Sequence, residues 1–203
     1  MISIDYISSR RKITLSGPES FDEMTTEQYQ NMVRDWDGED IIKLFCILFR
    51  ADYETTLNSP YDIEGAIAAA VAFVYRDGLK LYELTVPEKF LGAEVPKDLG
   101  GLSIGQAIIL RNRGEGKKEG EMISMAVAIY MQPIIDGKHD SKRVEQLERE
   151  IAAMPVTQTF ALGFFLLRQL TASGPTPAKL WNLLKTFGVV NTIKLLRRQA
   201  SKT

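Results

Sequence analysis

The chain has 203 residues, 45% of them hydrophobic, which is enough for one large domain with its own core and too apolar for wholesale disorder. A single cysteine excludes an internal disulfide, and one cysteine with one histidine supplies no zinc-ligand set. Net charge is only −1 but is polarised: no acidic residue follows Glu150, so the last 53 residues carry +7 and the first 150 carry −8.

The N-terminal MISIDYISSRRK carries a charge at residue 5 and lacks the apolar core of a signal peptide. The longest apolar run, residues 65–75, is too short to span a bilayer. These features predict a protein made and kept in a cytoplasm, with no membrane partner. ISIDYIS and RKITL are short and β-branched, and predict an N-terminal hairpin. Thr25-x-x-Gln28 is a capping-box pattern that opens a helix over 26–36. A second helix, 39–51, is apolar on most sides (Ile41, Ile42, Leu44, Phe45, Ile47, Leu48, Phe49), as expected at the centre of a bundle.

Ser59-Pro60 reads as the start of a third helix, with Asp62 in its first turn and an alanine-rich body ending near Asp77-Gly78. The segment 79–101 has scattered apolar residues, prolines and glycines without a helical period. It predicts an extended connector with one or two short strands, LKLYEL being the best candidate. Ser103-x-x-Gln106 is a second capping box, opening a helix over 103–113. The next helix, 121–131, should end at Pro133. Asp140 or Ser141 caps a helix with Val144, Leu147, Ile151 and Met154 on one stripe. Pro155 begins another, 156–171, apolar almost all round and therefore central.

SGPTP is the sharpest break. It divides a helical body, 1–172, from a basic amphipathic arm, 176–203, built from LWNLLKTF and VVNTIKLLRR. The expected fold is mainly α: a helical bundle with a small N-terminal β-hairpin and an extended connector near 79–101.

Candidate chemistry is sparse. GEGKKEG at 114–120 lacks the glycine and the Ser/Thr of a phosphate-binding P-loop, and it follows a helix rather than the strand that precedes a dinucleotide fingerprint. It reads as a flexible spacer. His139 lies in the polar GKHDS and reads as an exposed loop residue before it reads as an acid–base group. Asp37, Glu39 and Asp40 are turn and N-cap chemistry first. No G-x-S-x-G elbow occurs. No catalytic residue, cofactor or metal is expected. The sharpest surface feature is the arm. Lys194 and Arg198 stack four residues apart, with Arg197 beside them, and Trp181 and Phe187 upstream suit buried anchors at a protein contact. Completion of the chain's own core is an equal reading of the two aromatics. Three clustered charges without interleaved aromatics favour a protein partner, including self-association, over nucleic acid.

Three stretches carry a family resemblance. ITLSGPESFDEMTTEQYQNMV (13–33), LTVPEKFLGAEVPKDLGGLSIGQAIILRNR (84–113) and AVAIYMQPIIDGKHDSKRVEQLEREIAAMPVTQTFALGFFLLRQL (126–170) resemble small morphogenesis proteins of tailed bacteriophages and prophages. Those proteins are similar in size and helical character to tail assembly chaperones. The resemblance implies a non-enzymatic assembly factor in the host bacterial cytoplasm, with a tape-measure or tail-tube protein as partner. A virion component, such as a head–tail connector or baseplate accessory contacting neighbouring subunits, is the alternative. A nucleic-acid-binding regulator acting through the arm is the third. The motifs are structural, so the resemblance transfers no catalytic residues.

Overall fold

The computed structural model describes residues 1–8, 11–60, 63–97 and 103–172. These form a mainly helical protein with a small N-terminal hairpin. In the hairpin, β1 (Ile2–Ser8) pairs antiparallel with β2 (Arg11–Gly17), Ile4 opposite Leu15 and Ile2 opposite Gly17. Alternation turns Ile2, Ile4, Ile13 and Leu15 inward and leaves Ser3, Asp5, Thr14 and Ser16 outside, where Thr14 donates to Asp5 at 2.6 Å. Gly17 faces the Phe49 ring so closely that a Cβ there would stand 2.7 Å from it. The hairpin can therefore lie flat on the second helix.

Both capping boxes form. Helix α1 (Thr26–Asp35) starts with Thr25 accepting from the Gln28 amide while Gln28 Oε1 accepts from the Thr25 amide. The same side chain then reaches out: Gln28 Nε2 donates to the Leu48 carbonyl at 2.6 Å, satisfying one of the last-turn carbonyls of α2 (Ile41–Phe49). α2 is capped by Asp40 and ends with Arg50 in the left-handed region. It packs on one side of the core, with Ile41 exposed, rather than at the centre its composition predicts. A short α3 (Tyr53–Leu57), capped by Asp52, follows. Ser59 does not start α4 as expected. Its hydroxyl donates back to the Thr55 carbonyl at 2.9 Å, and α4 runs from Glu64 to Asp77.

LKLYEL is not a strand. Residues Gly78–Glu83 form a 3-10 helix, a tighter turn that sends Leu81 into the core while Tyr82 meets the rings of Phe160 and Phe164 at 5.2 and 5.9 Å. Among the described residues the connector's only ladder is a two-residue hairpin, β3 (Lys89–Phe90) with β4 (Ala93–Glu94).

After α5 (Ile104–Gly114) and a 3-10 turn at Glu119–Met122, α6 (Ile123–Asp136) takes the centre, every residue from Ile123 to Gln132 being buried. Pro133 lies inside α6 rather than ending it. Its missing N–H deprives the Ile129 carbonyl of its helical donor, and Gln106 Nε2 supplies the replacement at 2.6 Å. Gln132, wholly buried, receives the Asp140 amide and donates to Asp136 and the Lys138 carbonyl. It thereby closes the loop to α7 (Ser141–Ala152), which Asp140 caps.

α8 (Val156–Ala172) ties the halves together. Val156 and Phe160 join the cluster built by the hairpin, α1, α2 and α4. Leu162, Leu166 and Leu167 join the cluster of α5, α6 and α7. Gly163 lets α8 cross α6 at close range, since a Cβ would fall 2.7 Å from Ile123 Cγ2. The starts of α1 and α8 exchange backbone bonds, Thr26 to Met154 and Val156 to Met24, both 2.8 Å. Beneath them the buried hydroxyls of Thr26 and Thr159 lie 2.6 Å apart.

Candidate functional site

The five residues that the sequence favours for partner binding, Trp181, Phe187, Lys194, Arg197 and Arg198, lie outside the described residues, as does the break between 172 and 176. The other candidates are placed. His139 is exposed at the mouth of the α6–α7 loop. Asp37 accepts the amides of Glu39 and Asp40, which holds its carboxyl below the usual range. Asp40 caps α2 and accepts the Tyr53 hydroxyl at 2.8 Å. These carboxylates are structural. Among the described residues, no group of His, Cys, Asp and Glu is arranged to hold a metal ion, and no helix is long and apolar enough to cross a membrane.

The 114–120 stretch is fastened, not a free spacer. Gly116 turns the chain at φ +76°. Lys118 Nζ donates to the Val33 carbonyl at 2.7 Å, completing the C-terminal end of α1. Gly120 is buried against Val33, where a Cβ would stand 3.0 Å from both methyls. Gln30 donates to the Glu121 carbonyl and accepts from Ser124. Between these anchors Glu119 is half-buried with Oε2 unpaired. Burial pushes its carboxyl up to about 6, against the pull of the Arg168 guanidinium. That guanidinium sits 5.4 Å from the centre of the Phe164 ring. Only the glycines of this turn are legible in the sequence. Nothing in GEGKKEG shows that its first glutamate after the lysines turns inward.

The connector presents a surface that sequence reasoning did not single out. Leu79 is 47% exposed, Leu84 and Val86 each 37%, and Leu91 49%. Leu91 is also one of two non-glycine residues with positive φ among the described residues, at +49°, followed by Gly92 at +83°. Both central residues of the β3–β4 turn are thus left-handed, a conformation that Asn or Gly adopts readily and Leu does not. An apolar side chain is held out to solvent where a polar or small one would cost less. The connector is anchored at both ends: Tyr82 against Phe160 and Phe164, and Phe90 in the cluster of Leu162, Leu166 and Leu167. Its first part therefore packs on α8 through Tyr82 and its β3–β4 hairpin lies against α6, with Glu83 and Glu88 exposed among its apolar residues.

Compared with protein-family models, curated proteins and solved structures, the chain matches none.

Proposed function

We propose that the protein is a non-enzymatic assembly factor acting by protein–protein contact, and specifically a tail assembly chaperone of a tailed bacteriophage. The observation that carries the contact reading is the connector, which offers Leu79, Leu84, Val86 and a strained Leu91 to solvent within one short segment, while Ile41, Tyr53, Leu57, Ile108 and Ile134 are exposed on other elements. Exposed apolar side chains clustered in one segment mark a gripping surface. The polar side chains support the same reading, because Gln28, Gln106, Gln132 and Thr26 are committed to joining helices. The phage assignment rests on the resemblance of 13–33, 84–113 and 126–170, and a tape-measure or tail-tube protein is the partner it implies.

Two measurements test it together. Tagged protein recovered from phage-producing cells should bring down the tape-measure or tail-tube protein, and mass spectrometry of purified virions should find the chain scarce. Stoichiometric presence in virions would overturn the chaperone reading in favour of the alternative, a connector or baseplate component whose basic terminal segment docks on a neighbouring subunit. The polarised charge of the sequence motivates that alternative. A nucleic-acid complex that weakens steeply with salt would point instead to a regulator.

A further inference from the structure

We infer that Glu119 is the pin of a proton-operated clasp: protonated, it lets the turn at 118–122 lie closed on α1, α6 and α8, and ionised, it lifts that turn off the C-terminal end of α1. The inference does not depend on the phage assignment.

Geometry makes the clasp. The 3-10 turn at Glu119–Met122 packs against α1, α6 and α8 at once. On one side of Glu119, Lys118 Nζ donates to the Val33 carbonyl at 2.7 Å. On the other, Gly120 is buried against the Val33 methyls, where a Cβ would be crowded. Gln30 of α1 donates to the Glu121 carbonyl and accepts from Ser124 of α6, which ties the turn to both helices. Among these fastenings Glu119 Oε2 is shut away from water without a hydrogen-bond partner. The turn cannot close on α1 without carrying this carboxyl in with it.

Charge makes the clasp respond to protons. On α8, Arg168 is the charge that acts on Glu119, but its guanidinium lies over the Phe164 ring and does not reach Oε2. On α1, Glu27 is paired with Arg50 and Arg34 with Asp35, while Tyr29 is buried in the core. On α6, Tyr130 stands two turns from the start, and Asp136, at the far end, accepts from Gln132. Within the turn, the Lys118 ammonium is held at the α1 carbonyl and Glu121 Oε1 accepts the Lys118 amide. A protonated carboxyl needs no counter-charge in such a place, whereas a carboxylate must recover water or a donor. Burial accordingly pushes the Glu119 carboxyl up to about 6. Outward movement of the turn returns the carboxylate to water as a local opening, with both cores left intact. It would uncover the Val33 side chain and carbonyl together.

Hydrogen exchange of the full-length chain, followed by NMR between about pH 5 and 7.5, tests this. The readout is the protection of the Lys118 and Glu121 amides, which bond to the Glu121 carboxylate and the Lys118 carbonyl, corrected for the intrinsic rise of exchange with pH. Protection should fall about five- to tenfold as pH rises, with the same midpoint as the Glu119 carboxyl read from its own carbon resonance. The amides of Thr26 and Val156, which bond between the starts of α1 and α8, should change by less than about twofold. In Glu119→Gln the pH-dependent loss should vanish and the turn should stay protected throughout. Arg168→Gln should move the midpoint upward, because the pull of the guanidinium is gone. A loss that persists in Glu119→Gln, where His139 is still present, would overturn the inference. So would protection that stays constant while the Glu119 carboxyl titrates, or an equal loss at Thr26 and Val156, which would show the whole fold loosening rather than one turn.

Discussion

Gln106 stands in for the amide that Pro133 lacks. Its Nε2 meets the Ile129 carbonyl at 2.6 Å, the carbonyl to which an ordinary residue at 133 would donate. The same side chain accepts from the Ser103 amide at 2.9 Å, so one glutamine starts α5 and mends α6. Gln106→Leu should therefore strand a buried carbonyl and cost about 1–3 kcal/mol. In a Pro133→Ala background the helix supplies its own donor, and the same Gln106 change should cost less by about 1 kcal/mol or more. Urea denaturation of the four proteins in the cycle measures this coupling. Additive losses would show that Gln106 and Pro133 are unrelated.

Two glycines in helices should respond to alanine with opposite signs. A Cβ at Gly163 would meet Ile123 Cγ2 at 2.7 Å and its Cα at 3.3 Å. The second atom is backbone and cannot swing aside. Overpacking of about 1–3 kcal/mol should outweigh the roughly 1 kcal/mol gained in helix propensity, and Gly163→Ala should lower the melting temperature. At Gly65, in α4, a Cβ meets nothing within 4 Å. Gly65→Ala should raise it. Thermal unfolding of the two variants gives the answer directly.

Glu119 should make stability fall as pH rises through its titration. Its carboxyl lies near 4.5 when unfolded and at about 6 in the folded chain. Between those values the folded state binds more protons than the unfolded state, so raising the pH costs stability until the group is ionised in both. The shift corresponds to at most about 2 kcal/mol, and with the side chain only half-buried, solvent screening reduces that to on the order of 1. Glu119→Gln should accordingly be more stable than the parent at pH 7, with the gap closing toward pH 4.5. Chemical denaturation at several pH values tests it; a gap that widens toward low pH would contradict the assignment. Asp52 and Asp77, held below the usual range by hydrogen bonds, act in the opposite sense, but only at lower pH.

The Thr26–Thr159 contact should show as a coupling rather than as two separate losses. The hydroxyls are 2.6 Å apart and wholly buried. Thr159→Val removes that partner but leaves Thr26 donating to the Met154 carbonyl at 3.1 Å, so a loss of about 1 kcal/mol is expected. The Thr26→Val/Thr159→Val pair, with no orphaned hydroxyl, should lose less than the sum of the singles. Equilibrium unfolding of the three variants checks this.

Leu91→Asn should stabilise the fold by about 0.5–1 kcal/mol, because asparagine accepts the left-handed backbone more readily than leucine. A rise in melting temperature is the expected reading, and a fall would show that the side chain contributes to folding despite its exposure.

Local signals in the sequence determined the starts of α1, α5 and α7 and the hairpin. Thr25-x-x-Gln28 and Ser103-x-x-Gln106 name their own partners three residues away, Asp140 announces α7, and the alternation of Ile2, Ile4, Ile13 and Leu15 suffices to make a hairpin. Such interactions depend on spacing alone, and spacing is written in the chain. The centre of the bundle was not legible in this way. α2 is more apolar than α6, yet α6 is the helix buried all round, because burial depends on which neighbours arrive. Pro133 reads as a stop, and only a donor brought from α5, 23 residues away in the chain at Ile129, turns it into an interior residue. LKLYEL has the composition of a strand, but in the fold it winds into a 3-10 turn that sets Tyr82 against the rings of Phe160 and Phe164. The inward turn of Glu119 and the exposed ledge from Leu79 to Leu91 belong to the same class. Each is fixed by contacts between segments far apart in the chain, which no local pattern encodes.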